Sequence, residues 1–121
     1  MKSKLTGCLF YVLKDFYGED YNLVPIIHRY ASNNTLAIEL VIDDTGECFD
    51  TLTVNIAGSD SNNEDEAYVD INNCPWALAF IQDNDLGKPT GMYGFSGYCC
   101  YPQYKFDLSK LNESVGGDDN A

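Results

Sequence analysis

The chain has 121 residues and a net charge of −12, from 19 acids against seven bases. That length holds one domain with a single modest core, and 45% hydrophobic with 13% aromatic content excludes a disordered acidic chain. The charge argues against direct binding to nucleic acid or to an anionic membrane surface, and no apolar run reaches the roughly 20 residues that span a bilayer.

The first apolar run, Cys8 to Leu13, follows Lys2 and Lys4 in the manner of a short leader. Lys14 and Asp15 end it at once and no small-residue cleavage site appears, so it reads as core. Leu9, Leu13 and Phe16 fit helical spacing, whereas Leu9, Tyr11 and Leu13 fit alternation. Aromatic and β-branched content, with the turn-like Gly18-Glu-Asp20 behind it, tilts residues 9–17 toward the first strand of a hairpin. Tyr21 to Tyr30 is a second β-like run, in which Pro25 lacks a ladder donor and so implies an edge or a bulge. Ser32 to Asn34 makes a turn.

In the middle of the chain Leu36, Ile38, Leu40 and Ile42 alternate with Ala37, Glu39 and Val41. After the turn Asp43 to Glu47, Leu52, Val54 and Ile56 alternate with Thr51, Thr53 and Asn55. This predicts a hairpin and an antiparallel meander through residues 21–56. Residues 58–66 have no apolar side chain and read as a mobile acidic loop. A helix is expected over about 75–85: Pro75 suits its first turn, Asn73 or Cys74 its cap and Gly87 its left-handed stop. Its apolar surface, Trp76 to Ile81, must be largely buried. Gly87 to Gly97 reads as a loop anchored by Tyr93 and Phe95, followed by a last strand from about Tyr98 to Leu108 in which Pro102 suggests an edge or bend. Residues 114–121 read as a frayed acidic tail behind a single domain of residues 1–113. The expected fold class is α+β, an antiparallel sheet of about five strands with one buried helix.

No constellation carries chemistry on sequence grounds. His28 is the single histidine, so any Cys–His or Ser–His pair must use it, and on a strand face a lone histidine is usually a packing residue. Cys8, Cys48, Cys74, Cys99 and Cys100 lack the paired spacing of a zinc site, and their odd number fits reduced, mostly buried thiols in the cytoplasm. Asp60, Asn62 and Glu64 alternate like the start of a calcium loop, but Asp65 stands where glycine is needed and Ile71 where a bidentate acid is needed. No cofactor and no enzymatic activity are expected.

The segments Thr53 to Ile56, Glu66 to Ile81 and Ser96 to Leu108 resemble a family of small proteins defined by a domain of unknown function and carried on mobile elements of gut Firmicutes. The resemblance spans about residues 17–111, with Asn72-Asn-Cys-Pro-Trp76 and Tyr101-Pro-Gln-Tyr-Lys-Phe106 its most specific parts. It implies a setting among proteins that manage host defence, which include acidic DNA mimics, and no site residues.

Two partner readings follow. Between Arg29 and Lys88 there are twelve acids and no base. In the first reading Asp43, Asp44, Glu47, Asp50, Asp60, Glu64, Asp65, Glu66 and Asp70 imitate DNA phosphates before a basic nucleic-acid-binding defence protein of anti-restriction or anti-CRISPR target type. In the second, a general protein-binding or self-associating module uses the aromatic segment 91–104, with Tyr93 and Phe95 as anchors.

Overall fold

The computed structural model describes residues 8–56 and 63–113. Among the described residues nine strands, one short α-helix and a 3-10 turn (Leu108–Lys110) build two antiparallel-based sheets packed about a common core. The first sheet holds β1 (Tyr11–Phe16), β2 (Glu19–Arg29), β3 (Leu36–Ile42) and β4 (Cys48–Thr51), in that spatial order. Segment 9–17 is thus a hairpin strand, as alternation predicts. Its turn is Tyr17-Gly18, both at positive φ (51° and 84°), the geometry that matches the twist of paired strands.

The second sheet has the order β5 (Thr53–Val54), β6 (Glu66–Val69), β8 (Cys99–Phe106) and β7 (Gly87–Ser96). A single meander sheet is therefore corrected to two sheets. The break lies at Leu52, inside the run that alternation assigns to one strand. Leu52 donates its N–H to Ile38 O (2.8 Å) in the first sheet and accepts from Asp70 N (2.9 Å) in the second. Its side chain is fully buried between them. The switch also inverts the alternation: Thr53, opposite the buried Val69, is itself buried, while Val54, opposite Tyr68, is half-buried on the other face.

The helix α1 spans Ala77–Asp83, shorter than predicted. Its N-cap is Trp76 with no side-chain cap, so Pro75 lies ahead of the first turn rather than within it. The left-handed stop falls on Asp85 (φ 53°), while Gly87 opens β7. Ala77, Phe80 and Ile81 are buried and Ala79 is exposed. Trp76, Phe80, Phe16 and Phe49 meet edge to face at centroid separations of 5.1–6.3 Å, tying α1 to the first sheet.

Of the alternatives expected at the prolines, the edge position is corrected at both. Neither lies on an edge strand. Pro25 sits within β2, where its carbonyl accepts from Asn112 Nδ2 (2.9 Å). N–H and C=O of one strand residue point to the same side, so its missing donor faces the gap where β1 has ended and the parallel β9 (Asn112–Glu113) begins. Pro102 lies in β8, an interior strand, beside the irregularity where β7 bulges between Pro89 and Tyr93. The acidic loop and tail fall largely outside the described residues; of the loop, Asn63 to Glu66 is placed, and Arg29 donates to Glu64 O (2.8 Å).

Candidate functional site

Segment 87–97, expected as a loop, is the long edge strand of the second sheet. The two-residue turn Gly97-Tyr98 joins it to β8, with Gly97 at positive φ (61°) as a tight hairpin turn requires. Residues 89–104 contain no charged side chain, although the chain as a whole is 21% charged.

Register decides which way the aromatics point. Phe95 lies opposite Cys100 and Tyr93 opposite Pro102, so both share a face with Tyr104 and Phe106, the residues of β8 that meet the core. The intervening Gly94 points the other way, where an added Cβ would lie 2.6 Å from Ile56 Cδ1 and 2.8 Å from the Tyr68 ring. The core-facing side of the sheet thus runs on past the core and emerges uncovered. Phe95 is 69%, Met92 63%, Tyr93 57% and Tyr98 fully exposed. Packing of Tyr93 and Phe95 onto the core does not occur; both stand in solvent.

Backbone polarity follows from the same register. A two-residue hairpin closes on a pair that exchanges both backbone hydrogen bonds, here Ser96 and Cys99. Alternation makes Gly94 and Tyr101 the next bonded pair. The N–H and C=O groups of Phe95 and Tyr93 then face the open edge, consistent with Pro102 opposite Tyr93, which has no N–H to give. Aromatic side chains and edge-facing backbone groups come from the same two residues.

The acids are divided. Asp43 is buried, with its N–H on Asn22 O (2.9 Å), and Asp70 is buried with its carboxylate accepting from Asn73 N and Nδ2 (3.2 and 2.9 Å). Neither presents a carboxylate to a partner. Asp44 and Glu47 are exposed on the β3–β4 turn, and half-buried Asp50 accepts from Thr51 N. Near the second sheet Glu64 is exposed, Asp65 lies 3.9 Å from Lys105 and Glu66 accepts from Asn63 N (3.0 Å). Asp60 lies outside the described residues.

His28 Nε2 meets Glu39 Oε1 at 2.8 Å on the first sheet. Cys48 is nearby, but burial and the Glu39 carboxylate push its thiol pKa up, against nucleophilic use. A cleft of about 540 Å³ between the start of β7 and the end of β8 holds Lys88, Lys105 and Lys110 with Asp65, Asp85 and Asp107. Lys110 is held by Asp85 (3.1 Å), and Asp107 accepts from Ser109 N and Oγ, which lowers its pKa. Among the described residues no three metal-ligating side chains gather, and no helix is long and apolar enough to cross a membrane.

Tyr93 and Phe95 are the anchors expected within segment 91–104, and Met92 and Tyr98 join them as exposed large side chains. The uncharged run 89–104 is the signal that marks all four. No curated protein and no solved structure matches the chain. A family model matches residues 26–118, a range that begins within β2 and contains the aromatic hairpin, and the chain belongs to that family, the domain of unknown function DUF4313.

Proposed function

We propose that the protein is a non-enzymatic interaction module that binds another protein on the open edge of β7 and the aromatic face beside it. One observation carries this reading: an apolar sheet face that continues beyond its core, exposed, along a strand edge that pairs with no other strand among the described residues. Strand addition uses this combination, with main-chain bonds giving affinity and side-chain contacts giving specificity. The odd number of cysteines, two of them adjacent, supports a reducing setting such as the cytoplasm.

The DNA-mimic reading draws on the exposed Asp44, Glu47 and Glu64 and on the excess negative charge. Burial of Asp43 and Asp70 weighs against it. Salt separates the two. An apolar strand-edge contact holds as ionic strength rises from about 50 to about 500 mM, whereas a charge mimic lets go. In affinity capture from host extract, Tyr93→Ala and Phe95→Ala each weaken the captured partner at least about tenfold, as anchor truncations do. Neutralising Asp44 and Glu47 leaves it bound. Loss at high salt, with the alanine variants unaffected, assigns the binding to the acids instead.

A further inference from the structure

We infer that the occupant of the β7 edge is a second copy of this chain, paired antiparallel through a twofold axis at Gly94. The inference rests on the strand-edge reading above and adds the identity of the partner.

The register is self-complementary. With the axis at Gly94, Tyr93 of one copy lies opposite Phe95 of the other, and Phe95 opposite Tyr93. These are the residues whose N–H and C=O groups face outward. In an antiparallel ladder bonded pairs recur every second residue, so the two Tyr93–Phe95 pairs each exchange two hydrogen bonds and the Gly94 pair falls between them. Centring the axis on Phe95 or Tyr93 instead would pair each outward residue with itself and leave the other opposite the bulged or turn segment. Side chains follow: a twofold axis normal to the sheet keeps the same face uppermost in both copies. Two tyrosines and two phenylalanines then meet as cross-strand neighbours, an arrangement that aromatic pairs favour. Gly94 brings the backbones together without a side chain at the axis.

Charge selects the same place. Two molecules of net charge −12 repel each other, and the surface on which they can approach is the uncharged run 89–104. The lysine nearest the edge, Lys88, lies six residues from the axis, beyond the bulge, so no like-charged pair opposes the contact. The product is one continuous eight-stranded sheet from two four-stranded ones.

The sign of the salt effect makes the inference distinctive. Screening reduces repulsion between the copies while leaving apolar contact and backbone bonding intact, so self-association tightens as salt rises. In sedimentation velocity on the full chain, the expected result is a monomer–dimer equilibrium whose dissociation constant falls several-fold between about 50 and about 500 mM salt. Phe95→Lys, at an exposed site that tolerates it, raises that constant at least about tenfold, and Asp44→Asn leaves it unchanged within about twofold. A chain that stays monomeric at about 500 µM in high salt overturns self-pairing, as does a dimer indifferent to Phe95→Lys. A monomer that still loses a captured protein on Phe95→Ala keeps the strand-edge reading and removes the second copy alone.

Discussion

Cys74 shows how one buried thiol couples packing to pH. It is sealed between the sheets, and its Sγ points at Thr51 O at 3.6 Å. Burial, with Asp50 and Asp70 nearby, pushes its pKa from about 9 up to about 12. Across that window the folded state keeps a proton that the unfolded chain has released, so this contribution is fully present below about pH 9 and falls as pH rises toward 12. Cys74→Ala should flatten part of the alkaline decline in urea-unfolding free energy between about pH 8.5 and 10.5, while the lost sulfur costs about 1 kcal/mol at neutral pH. An unchanged alkaline slope places the effect on the tyrosines instead, of which Tyr11, Tyr30 and Tyr104 are also raised by burial.

At the scale of elements, Asn112 does what a backbone cannot. Its amide donates to Leu9 O and Pro25 O (2.9 Å each) and accepts from Leu9 N (2.8 Å), so one side chain stands in for a peptide group between β1 and β2. It fills the gap that Pro25 leaves in the ladder. Asn112→Ala strands Leu9 N–H and two carbonyls in a half-buried place and should cost about 2–3 kcal/mol in chemical unfolding. Asn112→Asp keeps the acceptor for Leu9 N–H but sets a carboxylate oxygen against Leu9 O and Pro25 O, so it should cost at least as much as alanine. A loss below about 0.5 kcal/mol would mean that water replaces the amide at no cost. The pairing of Pro25 with Asn112 lies 87 residues apart. Nothing local to Pro25 tells an edge from an interior strand repaired by a distant side chain, so the edge assignment fails for a definite reason. Pro102 repeats the lesson, since a bulge in its partner strand accommodates it.

For the whole molecule, charge is the dominant imbalance. The described residues form two lysine–carboxylate ion pairs, Lys105–Asp65 and Lys110–Asp85, each with at least one partly exposed partner and of small individual worth. Against them stands a net charge of −12. Self-repulsion should outweigh the pairs, so the urea midpoint should rise as salt goes from about 20 to about 500 mM. A falling midpoint would show that the pairs dominate.

Neighbours a few positions apart are enough to read the strand faces up to Leu52, the hairpin at residues 11–29, a helix behind Pro75 and the concentration of acids from the sequence. Leu36, Ile38 and Leu40 are buried as their alternation requires. Tertiary structure alone decided that the chain changes sheets at Leu52, that β8 lies inside the second sheet, and that Asp43 and Asp70 are buried. It also left Phe95 bare although it shares a face with the buried Phe106. Alternation states which side of a strand is apolar. Which strand lies alongside, and how far the covering layer extends, depends on contacts between residues dozens of positions apart, and no local pattern encodes that distance.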